Sequence, residues 1–227
     1  KDFFDEEIFN RFIITKGTKR FIEHENIMGR IVSIKDIEDE LRRLIEYEGY
    51  KDKYDFYILK NNLDILKRDI HYLSNHGEKI VKLSLDRAYR IIPENMDVKT
   101  DIYLYAGGPD GGFTVNRKEV YINFLNYIGE REEFIKILSH ELYHSRKISL
   151  GNKLKFNSQL IFKRNRYAYS LLGRIIEEGI ACLIQHGPIL IKYDRTGNLT
   201  RRNLSLSKVH FDKLNEMLLN IKLGRFH

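Results

Sequence analysis

The stretch Glu130–Ile148, EREEFIKILSHELYHSRKI, contains at residues 140–144 the pattern H-E-x-x-H. On a helix, residues four positions apart lie on one face, so the imidazoles of His140 and His144 can reach the same metal ion. Glu141 then lies at the flank of that ion, where its carboxylate can take a proton from a metal-bound water. Chance would produce this pattern about 0.02 times in a sequence of this length and composition. The segment therefore predicts a metal site, provided that it is helical.

The composition of this stretch favours an amphipathic helix. It has no Gly or Pro, and its apolar residues recur at steps of three and four: Phe134, Ile135, Leu138 and Leu142. Glutamates crowd the first turn and basic residues the last turn, so both ends complement the helix dipole. The predicted metal face carries His140 and His144 together with Ile137. The alternative is a surface helix whose histidines pair with solvent or with neighbouring side chains.

A second helical pattern, Tyr169–Ile184, supplies a candidate for the third ligand. Its apolar residues are numerous enough to predict a largely buried helix. Glu178 lies in line with three residues of its apolar stripe: Leu171, Ile175 and Cys182. A buried carboxylate is costly unless it is paired or bound to metal, so we expect Glu178 to be the third ligand of a Zn²⁺ ion. Glu177 is the competing ligand, and pairing of Glu178 with a buried Arg is the alternative.

H-E-x-x-H followed on a later helix by E-G-x-A, here residues 178–181, resembles the gluzincin metallopeptidases. The resemblance covers roughly Asp101 to Gly187 and is nearest to the compact zinc-dependent peptidases of that group. It implies a zincin-like α+β fold, mainly helical, with a small sheet beside the H-E-x-x-H helix. It also implies Zn²⁺ as cofactor, peptide or protein substrates, zinc ligands His140, His144 and Glu178, and Glu141 as general base.

The sequence departs from the best-known gluzincins in two ways. The separation between His144 and Glu178 is longer, and the extra residues Ser149–Arg166 are polar and basic, which predicts an inserted loop. Ala181 stands three residues after the ligand, where an Asp would orient a histidine in thermolysin-like members. Another group must therefore orient the imidazoles in this chain.

Two β-branched and aromatic segments, Asp101–Tyr105 and Glu119–Phe124, predict strands joined by a glycine-rich loop. The resemblance to gluzincins implies that a sheet edge beside the metal helix pairs with an extended peptide, and glycines would let its backbone approach closely. The candidate substrate-binding residues are Gly108, Gly111, Gly112 and Asn123. A plain hairpin loop is the main alternative. A phosphate loop is disfavoured because the Lys-Ser/Thr ending of a P-loop is missing.

The rest of the chain is chemically quieter. Residues 1–97 have helical patterns at 34–47, 56–73 and 79–92, which predict a helical N-terminal region packed on a catalytic part at 98–227, or one continuous domain. His24, His71 and His76 are interpreted as surface or core histidines. A final amphipathic helix is predicted at 205–223. A peptidase of this class also needs a donor to the oxyanion, for which His186 and Tyr193 are candidates by position.

Composition limits the classes of protein that the chain can represent. It has 227 residues, 42% of them hydrophobic and 31% charged, as in an ordinary globular domain. No uninterrupted apolar stretch approaches the ~20 residues of a membrane-spanning helix. The single Cys182 excludes an internal disulfide framework. Because the chain begins at Lys1, we expect either a cytoplasmic protein or a secreted one that has lost a signal peptide.

The net charge of +7 raises an alternative without catalysis, a basic module that binds nucleic acid or an acidic partner. Residues 162–167 and 200–203 interleave basic residues with aromatics or amides. Yet Lys and Arg are scattered along the chain among nearly as many acids, which favours a solvated surface. A further alternative is an inactive zincin homologue that keeps its metal. Structural zinc usually has four protein ligands, whereas two His and one Glu leave a position for water.

Overall fold

The computed structural model describes residues 3–92, 97–162, 166–188, 204–223 and 225. Its helices are α1 (Glu6–Ile13), α2 (Lys16–Ile27), α3 (Ile34–Glu46), α4 (Tyr57–Asn61), α5 (Leu63–Tyr89), α6 (Arg131–Ser145), α7 (Leu150–Phe162), α8 (Arg166–His186) and α9 (Ser207–Leu223). Its strands are β1 (Asp101–Tyr105), β2 (Gly112–Val115) and β3 (Glu119–Asn123), and a 3-10 helix follows at Phe124–Tyr127. The described part is therefore mainly helical with one small sheet, an α+β arrangement as predicted.

The sheet corrects the prediction of two strands joined by one loop. Its order is β1-β3-β2, with β3 in the centre. β1 runs parallel to β3, with Asp101 opposite Glu119, and β2 runs antiparallel to β3, with Gly112 opposite Ile122. The hairpin therefore joins β2 to β3, and the predicted loop 106–112 leads from β1 into the unpredicted strand β2. In the described residues, β2 has no strand on its other side.

Aromatic side chains fill the core between the sheet and the N-terminal helices. Phe21 of α2 stacks on Tyr105 of β1 with ring centroids 5.9 Å apart. Phe113 of β2 stacks on Tyr121 of β3 at 5.1 Å. These buried rings belong to one cluster with residues of α3 and of the segment before α4, among them Ile37, Leu44, Tyr54 and Phe56. The N-terminal helices thus support the face of the sheet.

A second core forms where α5 and α6 pack against each other and against the sheet. It contains buried Ile80 of α5, Val120 and Ile122 of β3, and Phe134 and Leu138 of α6. We predicted two helices at 56–73 and 79–92, but α5 is continuous from Leu63 to Tyr89. Gly77 lies between the two predicted segments, but its low helix propensity costs only about 1 kcal/mol, and the buried positions on either side of it outweigh that cost.

α6 confirms the predicted helix and ends three residues early. At Arg146 the backbone becomes extended, with ψ 143°, and Arg146 pairs with Val98 in an isolated antiparallel bridge. The amide of Lys147 donates to the carbonyl of Asp97 at 2.8 Å. These contacts replace the helical hydrogen bonds that would have continued the helix.

The segment after α6 differs from the prediction in two respects. Residues 149–166 were expected to form a loop, but most of them form helix α7, which packs against α8. α8 was expected to be largely buried, yet its side chains Leu172, Ile175, Ile176 and Leu183 are exposed in the described structure. Burial is confined to its last turns, where Ala181, Ile184 and their neighbours meet α5 and α6. None of the helices described has the length and apolarity needed to span a bilayer.

Candidate metal centre

The two histidines of α6 and one glutamate of α8 converge on one point. The Nε2 atoms of His140 and His144 lie 3.2 Å apart. The Oε2 atom of Glu178 lies 3.6 Å from each of them. His140 is buried and His144 half-buried, because α8 packs across this face of α6. The structure thus brings together all three residues that the sequence predicted as ligands.

The spacing of these three atoms fits a tetrahedral zinc ion. Ligand atoms at about 2.0–2.1 Å from a tetrahedral ion are separated from one another by about 3.3–3.4 Å. The separations of 3.2, 3.6 and 3.6 Å bracket that value. Two imidazole nitrogens and one carboxylate oxygen are also a ligand set that zinc binds with a fourth position left for water. The donors therefore suit the metal in both chemistry and distance.

The electrostatics of the cluster favour a cation. Hydrogen bonds with His140 and His144 hold the pKa of Glu178 well below its usual range, so this carboxylate is ionised. Burial lowers the pKa of His140, but hydrogen bonding to Glu178 and the charge of Glu141 outweigh burial and raise it overall. The carboxylates of Glu141 and Glu178 thus stabilise positive charge at the imidazoles, and a bound divalent ion would supply that charge.

The reason that we gave for Glu178 in the sequence analysis is wrong, although its carboxylate does lie beside the two histidines. Glu178 does not lie in a buried apolar stripe, since its side chain is 63% exposed. The neighbouring Glu177 is the carboxylate that pairs with an arginine, because Nη2 of Arg146 lies 2.6 Å from its Oε1. Burial raises the pKa of Glu177, but the hydrogen bond from Arg146 outweighs burial and lowers it overall. The carboxylate of Glu177 is therefore engaged in an ion pair with Arg146.

Glu141, the residue after the first histidine, is buried beside the sheet. The hydroxyl Oγ1 of Thr114 on β2 lies 2.9 Å from Oε2 of Glu141 and 3.2 Å from its backbone carbonyl oxygen. At Gly112 of the same strand, an added Cβ would lie 3.2 Å from Cγ of Glu141 and 2.8 Å from the carbonyl oxygen of Tyr121. β2 therefore approaches the glutamate closely, and Thr114 fixes its carboxylate.

Gln185 of α8 lies on the buried side of His140. It is seven residues after Glu178, two helical turns along the same face. Its hydrogen bonding is among the causes that raise the pKa of His140. In the described structure, Oε1 of Gln185 and Nδ1 of His140 are both buried and have no partner at ordinary hydrogen-bond distance. A histidine that binds metal through Nε2 carries its proton on Nδ1, and this amide oxygen can accept it.

A family comparison agrees with this geometry. The family described as "Putative zinc dependent peptidase (DUF5700)" matches residues 9–226, nearly the whole chain. The chain belongs to that family. No curated protein and no solved structure matches it. The family description is that of a zinc-dependent hydrolase acting on peptides, which is consistent with the three converging donors.

In this DUF5700 chain, the side chain of Asn123 holds the glycine-rich loop 106–112 in place. The side-chain amide of Asn123 is fully buried and donates to the carbonyl oxygens of Gly107, Gly108 and Asp110 at 2.9–3.1 Å. Asn123 thus shapes the loop and does not face an open surface. Gly108 has φ +79°, and an added Cβ would lie 2.7 Å from Cε2 of Phe21, so this position requires glycine for packing. Gly111 and Gly112 lie nearer to α6, against Ile137 and Glu141.

A second cluster of possible metal ligands, His24, Glu25 and Asp110, holds this loop to α2. Arg30 donates to both Oε atoms of Glu25 at 2.7 Å and also pairs with Asp110. Nε2 of His24 lies 2.9 Å from Oδ2 of Asp110. The guanidinium already supplies the positive charge that these carboxylates need, so the cluster is an ion-pair network. His24, with its ring stacked 4.0 Å from that of Phe113, is a structural histidine, as predicted.

The two candidates for the oxyanion donor remain predictions. His186 is buried as the last residue of α8. Tyr193 lies outside the described residues, as do the basic residues 200–203.

The residues that the sequence analysis missed are Thr114 and Gln185. Neither belongs to a motif, because a hydroxyl or an amide that lies against a residue of the site needs no fixed spacing from it in the sequence. Gln185 did carry a weak signal, since it is a polar residue in line with Glu178 on a helix of apolar neighbours.

Proposed function

We propose that this protein is a gluzincin-type zinc peptidase with a zincin-like fold. His140, His144 and Glu178 would hold the ion, and Glu141 would act as general base. The observation that carries the proposal is the convergence of two imidazole nitrogens and one carboxylate oxygen at separations of 3.2–3.6 Å, with a buried glutamate next to them. Zinc bound there would supply Lewis acidity, which lowers the pKa of water and polarises a carbonyl group.

The residues of the chain would handle the proton in this reaction. The carboxylate of Glu141 would take a proton from the attacking water as its oxygen adds to the peptide carbonyl carbon. The same carboxylate would then give that proton to the leaving amine nitrogen as the C–N bond breaks. Thr114 would hold the carboxylate in position throughout, since its hydroxyl lies 2.9 Å from Oε2. Gln185 would keep His140 in the orientation that directs Nε2 toward the ion.

The free edge of β2 provides a place for the substrate backbone. In the described structure β2 pairs only with β3, and α6 contacts both of these strands. An extended peptide could add to this edge through backbone hydrogen bonds, which do not depend on its side chains. Gly111 and Gly112 at the start of the strand would allow close approach of the peptide next to Glu141.

A structural zinc site is less well supported than a catalytic one. Structural sites are usually closed by four protein ligands, whereas the described residues bring three donors together here. A buried glutamate held by a threonine beside an open position has no use in a structural site.

The first experiment measures zinc content and peptide hydrolysis in the same preparation, purified without chelator or metal-affinity tag. We expect about one zinc per chain, cleavage within a mixed peptide library detected by mass spectrometry, loss of cleavage with 1,10-phenanthroline, and recovery with added zinc. Zinc content near zero that added zinc does not raise would contradict the metal centre. One zinc per chain without cleavage would support a metal-binding but inactive homologue.

Replacing Thr114 by Val tests the hydrogen bond to Glu141. Because the acceptor is a carboxylate, this hydrogen bond contributes about 1.5–3 kcal/mol, so we expect kcat/KM to fall roughly 10- to 150-fold with zinc content unchanged. Thr100→Val is the matched control, because the hydroxyl of Thr100, just before β1, donates among the described residues only to the carbonyl oxygen of Asp101. An equal loss in both variants would argue against a specific role for Thr114.

A further inference from the structure

A cleft of about 880 Å³ adjoins the candidate metal centre. Its walls come from α7, from the first turns of α8 and from the segment that follows α6. Glu178, the third metal ligand, lines this cleft together with Glu177. The volume is within the range of about 300–1,000 Å³ that is common for ligand sites. A substrate bound at the metal would therefore extend into this cleft.

The lining of the cleft is strongly cationic. Its basic side chains are Arg117, Arg146, Lys147, Lys153 and Arg174, whereas Glu177 and Glu178 are its acidic ones. Metal bound at Glu178 and the ion pair between Glu177 and Arg146 would neutralise both carboxylates. The pKa of Arg117 is lowered by burial and by the charge of Arg146, as expected where positive charges crowd together. The cleft therefore carries an excess of positive charge next to the reaction site.

The basic residues divide into two groups by the contacts that they make. Arg117 donates to the carbonyl oxygen of His144 at 2.8 Å, and Arg146 binds Glu177, so both support the end of α6 and α8. The exposed side chains of Lys147, Lys153 and Arg174 form no ion pair within the described residues. These three side chains can take an anionic group from a ligand without breaking an internal contact.

Arg174 lies one helical turn before Glu178 on α8. Four residues at 1.5 Å each place it about 6 Å along the axis from the ligand, on nearly the same face. An extended peptide advances about 3.3–3.6 Å per residue, so this distance corresponds to one or two substrate residues. Lys153 lines the same cleft from α7. The cationic side chains are therefore at the right distance to bind a group close to the scissile bond.

Building on the proposed peptidase activity, we propose that this cleft selects peptides that carry a carboxylate within about two residues of the cleaved bond. The carboxylate could belong to an Asp or Glu side chain or to the C-terminus of the peptide. Arginine binds either source through paired N–H donors, and the lysines add to the attraction.

The test compares peptides that differ only in this carboxylate. One parent peptide is varied at each of the two positions on either side of the cleaved bond. At each position three versions are made: one with Glu, one with isosteric Gln, and one with Gln and an amidated C-terminus. At low salt we expect kcat/KM for the Glu peptide to exceed that for the Gln peptide by about tenfold, the size typical of one charge-assisted hydrogen bond. A loss on amidation that exceeds the loss from Glu to Gln would identify the C-terminal carboxylate as the source.

The paired substitution Lys153→Gln with Arg174→Gln should bring the Glu-to-Gln ratio of kcat/KM close to one. Its control is Lys35→Gln with Lys67→Gln, which removes the same charge from side chains that are 81% and 76% exposed on α3 and α5. A ratio that stays high in the first pair, or that falls equally in both pairs, would overturn the proposal.

A binding measurement separates this proposal from the peptidase proposal. Fluorescence anisotropy of labelled Glu and Gln peptides is recorded with the Glu141→Gln variant, which should bind without cleaving. Preference for the Glu peptide that disappears with the Lys153→Gln and Arg174→Gln pair would support the cleft even if no peptide were ever hydrolysed. Hydrolysis without a preference for the Glu peptide in either assay would overturn the proposed selectivity of the cleft and leave the peptidase proposal standing. Stronger competition by a single-stranded oligonucleotide than by the Glu peptide would also overturn it, in favour of a nucleic-acid surface.

Discussion

Replacing Glu141 by Gln is expected to reduce peptide hydrolysis by roughly 10²–10⁴-fold, the usual contribution of a general base. The amide has the same shape as the carboxylate but cannot accept the proton of the attacking water. It can still contact the Thr114 hydroxyl, through its oxygen, so the local packing should persist. Because Glu141 is not among the three converging donors, zinc content should stay at about one per chain. The measurement is kcat/KM beside zinc content in the same sample.

Glu132→Gln is the matched control for this substitution. Glu132 lies exposed in the first turn of the same helix α6, where its charge contributes only a few tenths of a kcal/mol through the helix dipole. It should leave hydrolysis unchanged. Activity retained in Glu141→Gln would remove Glu141 from the mechanism. Zinc lost together with activity would mean that Glu141 helps to hold the ion.

The cluster of candidate metal ligands could be predicted from the sequence because two of its three residues are close together in the chain. His140 and His144 are brought together by one helix, and the helix is encoded by the spacing of its own apolar residues and by the charges at its ends. Nothing distant is needed to place their Nε2 atoms 3.2 Å apart. Glu178 was predicted by a different argument, its position within an apolar helix, and that argument fails at this residue because only the later turns of α8 are buried.

The sheet was predicted less well because its pairing is not local. β2 has four residues and contains Gly112, so neither its length nor its composition stands out from a loop. Its place beside α6 depends on Asn123, which holds the loop carbonyls, and on the packing of Phe113 against Tyr121. The parallel pairing of β1 with β3 follows from that placement and not from any pattern within the strands.

The helix α7 was missed for a related reason. Residues 150–162 include Gly151 and several polar residues, and their apolar side chains Leu150, Leu154 and Phe156 are exposed in the structure. Exposed apolar positions of this kind, here among residues 150–158, leave a weak hydrophobic period in the sequence. Its partner is α8, and the ring of Phe156 lies against Gly173 of that helix. The cleft beside the candidate metal centre exists because this pair of helices forms.

Replacing Glu178 by Gln is expected to weaken zinc binding by more than about 100-fold, since loss of a supporting group alone costs about 10–100-fold. The amide removes the negative charge and offers only a weak neutral oxygen to the ion. Zinc content should fall well below one per chain after dialysis, and hydrolysis should fall with it. Competition with a chromophoric chelator measures the affinity directly, without reference to activity.

Glu177→Gln is the comparison that makes this prediction decisive, because the two carboxylates are adjacent and the substitution is the same. Glu177 pairs with Arg146, whose side chain is only 8% exposed, so its loss should lower the melting temperature by leaving a buried charge unpaired. It should not release zinc, since the carboxylate of Glu177 points to the guanidinium and that of Glu178 to both imidazoles. If Glu177→Gln released zinc while Glu178→Gln kept it, the ligand would be Glu177. The two variants therefore separate stability from metal binding at neighbouring positions of one helix.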